Sequence, residues 1–178
     1  MHIREATAAD APAIARLHAE SWRSAYRGIL NDEFLDHEVH PERLALWTER
    51  FAEQDSGTQT PKMFVILAEQ DEKPLGFASV FLEDDPIYGS LLDNLHVSPE
   101  IIRSGIGRQL LSECARQLLT RGSRTGLYLW VINKNRNAQK FYEKAGATYV
   151  DSHEHPMPDG SRVVTLRCYW PNPSALIL

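Results

Sequence analysis

The sequence predicts an α/β domain in which helices cover a mixed sheet of about seven strands, and three observations carry that reading. Residues 127–132, LYLWVI, are nearly all apolar, the pattern of a central strand covered on both faces. Around them, strand and helix patterns follow in the order strand, helices, three strands, helix, strand, helix, two strands, which excludes a bundle or a sandwich. Residues 93–111, DNLHVSPEIIRSGIGRQLL, compress a strand end, a tight loop and a helix start into one short stretch.

In chain order, Ile3 to Glu5 reads as a first strand, and Thr7 and Asp10 stand three apart like a weak capping box. Ile14, Leu17, Trp22, Ala25 and Tyr26 follow at roughly helical spacing as far as Gly28. Asn31 to His37 is expected as a short capped helix, and Pro41 opens a separate one with the stripe Leu44, Trp47, Phe51. Met63 to Ala68 and Leu75 to Leu82 form two arms of a hairpin around Asp71 to Pro74. Glu83 to Pro86 is an acidic loop, and Leu91 to Val97 is the next strand. A helix from about Gly105 to Arg121 stops at Gly122 and precedes the strand 127–132. Asn135 to Ala145 is amphipathic and ends at Gly146; Tyr149 to Ser152 and Val163 to Tyr169 close the sheet. The tail PNPSALIL is too short and too broken by proline to name an element, and its apolar end is compatible with a dimer contact.

Composition narrows the class. At 178 residues the chain is expected to be one domain over 1–178. A net charge of −5 gives no basic footprint for nucleic acid, and no apolar run reaches membrane-spanning length. The opening MHIREATAAD lacks a secretory core, so a cytoplasmic protein is expected, with Cys114 and Cys168 as reduced, buried thiols.

The loop at Gly105 and Gly107 is suited to an anion: the first turn of a helix leaves N–H groups unpartnered at the positive end of its dipole, and glycine lets phosphates approach. Two glycines alone do not decide the matter. A second motif, NKNRNAQKFYEKAGA at 133–147, does. Its Asn135, Ala138, Phe141, Tyr142 and Gly146 resemble the N-x-x-A-x-x-F-Y-x-x-x-G segment of the GNAT family of acyl-CoA-dependent N-acetyltransferases, and LHVSPEIIRSGIG upstream resembles that family's V-x-P-x-x-R/Q-x-x-G-x-G/A segment. Residues 3–30 are similar to the amino-terminal strand and helix of a bacterial subgroup.

The resemblance implies a GNAT fold splayed between its fourth and fifth strands, acetyl-CoA as co-substrate, and a site built from this chain's own residues. It implies that the backbone at Leu95, His96 and Val97 pairs with the pantetheine arm, and that an N–H near Val97 faces the thioester oxygen. Arg103, Ser104, Gly105, Ile106, Gly107 and Arg108 would cradle the pyrophosphate through N–H groups. Where the family carries arginine or glutamine this chain has Ile102, with Arg103 one residue later, so that side-chain contribution is missing. Asn135 and Ala138 match cofactor-contacting positions, and Asn135 also suits a helix cap. Tyr142 matches the general acid that protonates the departing thiolate, a role that competes with packing beside Phe141.

For the base, the candidates are Asp93 and His96 on the strand, with Glu83 and Asp84 nearby; strict alternation sets Asp93 and His96 on opposite faces unless a bulge intervenes. Asp93 is the first choice. Trp22, Tyr26 and Trp130 are candidates for an acceptor pocket, core packing being the competing reading. His153, His155 and Asp159 lack a clearly spaced third ligand, so no metal is expected. The expected acceptor is a primary amine, a small cationic molecule on the strength of Glu83 to Asp85, with a protein amino terminus or lysine as the alternative, and a silent acyl-CoA-binding module as the rival of another class.

Overall fold

The computed structural model describes residues 1–55, 63–123 and 125–178. The elements are β1 His2–Glu5, α1 Ala11–Ala25, α2 Val39–Asp55, β2 Met63–Gln70, β3 Lys73–Asp85, β4 Gly89–Val97, α3 Ile106–Thr120, β5 Leu127–Ile132, α4 Arg136–Lys144, β6 Thr148–Pro156 and β7 Arg162–Trp170. The strands form a seven-stranded sheet in the order β1-β2-β3-β4-β5-β7-β6. Every neighbouring pair is antiparallel except β4 with β5.

β2 shows why its sequence has no polar alternation. Met63, Val65 and Leu67 pack with Ile14, Leu17, Trp47 and Phe51 of α1 and α2, while Phe64, Ile66 and Ala68 pack with Leu110, Leu111, Cys114 and Leu118 of α3. A strand covered on both faces needs apolar residues at every position. A third cluster, containing Trp22, Leu30, Phe34, Leu35 and Val39, reaches across to Ile132 and Val163, so the α1–α2 connection caps the far half of the sheet.

Three expectations are revised. The two helices expected at Asn31 to His37 and from Pro41 are joined by a π-turn, Phe34–Glu38, in which the Val39 N–H reaches Phe34 O. The wider turn carries the chain past Pro41, which has no N–H to give, without a break. Glu83 to Asp85 belong to the end of β3 rather than to a loop. The tail forms a short 3₁₀ turn, Pro173–Leu176, whose Leu176 is buried with α3 residues and whose Leu178 N–H donates to Ser112 Oγ. The first-turn capping box does form: the Thr7 N–H donates to Asp10 Oδ2 at 2.8 Å. Among the described residues, no helix is long and apolar enough to cross a membrane.

Candidate active site

The site begins where two strands part. β4 and β5 pair only at Ser90 with Leu127 and Leu91 with Tyr128; beyond Leu91 both strands run on without pairing to each other. The fork is anchored by glycine. Gly89 lies at φ +85°, and a Cβ there would stand 2.3 Å from Gly126 O, so only glycine lets the two backbones close to this distance.

A β-bulge then sets which side chains face the fork. Val80 pairs with Leu92 and Ser79 with Asn94, so Asp93 is the extra residue on β4. Past the bulge the alternation is reset: Leu95 and Val97 pack with the α3-side core, whereas His96 pairs with Phe77 and lies against α1. The bulge therefore turns Asp93 and His96, which strict alternation would separate, toward one cavity of about 130 Å³. That cavity is walled by Ser21, Ala25 and Tyr26 of α1, Asp93, Leu95 and His96 of β4, Leu129 to Val131 of β5, and Asn135, Ala138 and Tyr142 at α4.

His96 is held on several sides. Its Nδ1 is 2.9 Å from Ser21 Oγ, and its ring lies 4.4 Å from that of His18 and 5.4 Å from that of Phe77. Burial, reinforced by the positive charge of Arg43, pushes its pKa down to about 3. His18 is fully buried, its Nδ1 accepts from Trp47 Nε1–H at 3.1 Å, and burial holds it well below the ordinary histidine range. Asp93 is differently placed: its Oδ2 takes Arg50 Nη1 at 2.7 Å and also the amide of Asn94.

Both imidazoles bind protons more weakly folded than unfolded, so stability rises with pH between their folded values and the ordinary 6.5, and is lost as pH falls below about 6.5. Urea unfolding at pH 7, 6 and 5 is expected to show a loss of up to about 1.4 kcal/mol per pH unit for each imidazole. A His96→Ala chain should lose part of that slope; a flat profile in both would contradict the assignment.

Tyr142 is at once core and cavity wall. It is 9% exposed, with Phe141 edge-on at 5.1 Å and Trp170 at 6.0 Å, and burial raises its phenol above the ordinary range. Asn135 caps α4, accepting from Ala138 N–H at 3.1 Å, and lines the cavity as well. At the glycine loop, Gly105 is the left-handed N-cap of α3, at φ +87°, and a Cβ added there would meet nothing within 4 Å. The N–H groups of Ile106 and Gly107 open the helix, where no intrahelical acceptor exists. Gly107 packs against Phe141 and Val97, Arg103 has φ +70°, Ile102 is 59% exposed, and Arg108 Nη1 is buried without a partner among the described residues. An open glycine approach, first-turn donors and a buried unpaired guanidinium nitrogen fit a phosphate-bearing ligand.

The other candidates are placed elsewhere. Asp84 accepts from the Tyr128 hydroxyl, and Asp85 accepts the N–H groups of Ile87 and Tyr88, so both carboxylates serve the chain itself. Trp22 packs on His18 and under Arg43, while Tyr26 and Trp130 line the cavity. His153 and His155 flank Trp130, and Asp159 instead accepts from the N–H groups of Asn31 and Ser161. Ser21 and His18 were not among the sequence candidates, because a serine and a histidine inside a helical stripe carry no local sign of what they will face.

The model of the acetyltransferase (GNAT) family matches residues 14–147. The chain belongs to the GNAT acetyltransferase family. As a member it is an acyltransferase that uses acetyl-CoA as co-substrate. It is 33% identical over 147 residues to the probable N-acetyltransferase Rv2775 of Mycobacterium tuberculosis, covering 81% of this chain and 78% of that one. It is 29% identical to the uncharacterized N-acetyltransferase YuaI of Bacillus subtilis, covering 98% and 95% respectively. The fold is shared with PaiA N-acetyltransferase of Thermoplasma acidophilum, solved in complex with coenzyme A, at a TM-score of 0.75 and 20% identity over 95% of this chain and 98% of that one. The forked β4–β5 pair is thus the GNAT splay, lying between the fourth and fifth strands as expected.

Proposed function

We propose that this GNAT enzyme transfers the acetyl group of acetyl-CoA to a small primary amine by direct attack in a ternary complex, with His96 as the proton acceptor and Tyr142 as the proton donor. The observation that carries the reading is that His96 from β4 and Tyr142 from α4 line one cavity, which opens where β4 and β5 part.

The chemistry follows from the two groups. The amine arrives as its free base and attacks the thioester carbon; a C–N bond forms and the carbonyl becomes an oxyanion, which a fixed N–H of the unpaired β4 edge near Val97 would stabilise by about 2.7 to 4 kcal/mol. The nitrogen, now cationic, gives its proton to Nε2 of His96, while Nδ1–H of the same ring donates to Ser21 Oγ. The oxyanion collapses, the C–S bond breaks, and the thiolate takes the hydroxyl proton of Tyr142. His96 returns its proton to solvent and the phenolate is reprotonated. Of the two β4 candidates, His96 is preferred over Asp93, because the Asp93 carboxylate is already occupied by Arg50 and Asn94.

The small volume of the cavity favours a slender amine, and the Tyr26 ring on its wall supports the remote positive charge of a short diamine or polyamine by cation–π attraction, whereas Trp130 already carries the Arg167 guanidinium over its face at 4.5 Å. Support for a cationic acceptor therefore rests on Tyr26, not on Glu83 to Asp85. The buried free thiols Cys114 and Cys168 support placing the enzyme in the cytoplasm.

Thiol release from acetyl-CoA across a panel of primary amines tests the reading. Tyr142→Phe keeps the ring contacts with Phe141 and Trp170 but has no proton to give, so kcat is expected to fall about 10²-fold while acetyl-CoA raises the melting temperature as in the parent. Binding of acetyl-CoA without turnover on any amine would overturn the enzymatic role.

A further inference from the structure

We infer that His18 is a positioning residue for His96: its ring, kept neutral and in one tautomer by Trp47, holds the His96 imidazole in one orientation and lets it take the substrate's proton without repulsion. This rests on His96 as the proton acceptor and adds a residue that does not itself line the cavity.

The geometry begins with an indole. Trp47 Nε1–H is a donor only, and its partner at 3.1 Å is His18 Nδ1, which must therefore present a lone pair. The single proton of His18 then sits on Nε2. A second proton would have to go onto Nδ1, placing two N–H groups head to head. Nε2 of His18 is buried with no hydrogen-bond partner among the described residues, so no acceptor compensates a charge there either. His18 is 0% exposed, packed between Trp22 at 5.2 Å, Phe77 at 5.5 Å and His96 at 4.4 Å. Its charge state is thus set by Trp47 and its place by three rings.

That fixed neutral ring covers one side of His96. With Phe77 on the strand beneath and Ser21 on Nδ1, the His96 imidazole has one orientation, and Nε2 is the nitrogen left for the cavity. The groups around it from each packed element are His18 and Tyr26 on α1, Arg43 and Arg50 on α2, Asp93 on its own strand and Tyr142 on α4; Phe77 on β3 is neutral. Arg50 is matched by Asp93, and Arg43 disfavours an imidazolium. A protonated His18 at 4.4 Å would add repulsion at the moment His96 takes the amine proton; a neutral ring offers a polarizable face instead.

His18→Gln tests this, because the amide oxygen still accepts from Trp47 Nε1–H while the ring is lost. Ring ¹⁵N resonances of histidine are followed from pH 8 to 4.5, alongside kcat/KM corrected for the free-base fraction of the amine. In the parent, His96 is expected not to titrate above pH 5, and the corrected kcat/KM to be flat from pH 8 to 5. In His18→Gln, the ring that fixes His96 is lost, so the His96 ring resonances should broaden by exchange between orientations and kcat/KM should fall about tenfold at every pH, while acetyl-CoA raises the melting temperature as in the parent. A parent His18 that carries its proton on Nδ1, or a variant with the parent's kcat/KM and sharp His96 resonances, overturns the inference; the first of these is readable even if the variant fails to fold. Trp47→Phe, which frees Nδ1 of His18 to take a proton, then supplies the second arm: a titrating His18 and a corrected kcat/KM that falls as His18 becomes charged are expected, and an unchanged profile overturns it. Activity of His96→Ala is a separate measurement: full activity there would remove the proton acceptor itself, whereas the resonances report on His18 alone.

Discussion

His96→Ala is expected to lower kcat by about 10² to 10⁴-fold, the range for loss of a positioned proton acceptor, with little change in the melting-temperature shift produced by acetyl-CoA. The expectation follows from the separation of roles along β4. The backbone of the strand past Leu91 belongs to the cofactor fork and survives the substitution, whereas Nε2 of His96 disappears. Exogenous imidazole should restore part of the rate by occupying the vacated ring position. The parallel substitution Asp93→Ala should cost less in kcat and more in stability, since it frees Arg50 from its partner at 2.7 Å. A full-rate His96→Ala enzyme, or a larger kcat loss in Asp93→Ala, would reassign the proton acceptor to the carboxylate.

Gly89→Val is the substitution with the largest expected effect on the fold of the site. Two costs add. A β-branched residue at φ +85° is strained by about 1 to 2 kcal/mol, and a Cβ 2.3 Å from Gly126 O and 2.7 Å from Gly126 N cannot be relieved by a side-chain rotation, adding about 1 to 3 kcal/mol. A loss of about 2 to 5 kcal/mol is expected in urea unfolding. The strain falls on the short parallel contact, where the Ser90 N–H donates to Gly126 O at 3.0 Å, so the surviving folded molecules should also bind acetyl-CoA more weakly. Gly28→Ala is the comparison: its φ is also positive, but nothing lies within 4 Å of the added carbon, so only the backbone strain applies. If both variants lost the same stability, the close approach at the fork would not be what Gly89 provides.

On the acceptor side of the site, the acidic run that the sequence offers does not wall the cavity. Glu83 to Asp85 look in sequence like a solvated acidic lure. In the fold they end β3, Asp84 is tied to the Tyr128 hydroxyl, and Asp85 closes the turn to β4. The cavity is instead walled by Tyr26 and Trp130, which lie far apart in the chain. At the tail, Leu176 completes this chain's own core against α3.

The layering and the helix opening at the glycine loop are legible in the residue pattern alone, whereas the fork between the fourth and fifth strands is legible only through the family resemblance. Periodicity is a local property: a strand covered on both faces must be apolar throughout, as 127–132 is, and a helix that opens at glycine must leave N–H groups free, as Ile106 and Gly107 do. The segment from Asn135 to Gly146 is readable for the same reason, since its cap, its ring pair and its stop all lie on one short helix. Which side chains meet the reacting atoms is settled later, by packing. The bulge at Asp93 is created by the register of β3 against β4, and a shift of one residue turns His96 from the α3 side to the α1 side. Ser21, His18 and Trp47 then close around it from two helices. No local pattern encodes such a meeting, because the free energy that fixes it comes from burying four aromatic rings together, and that burial exists only after α1, α2 and the sheet have packed.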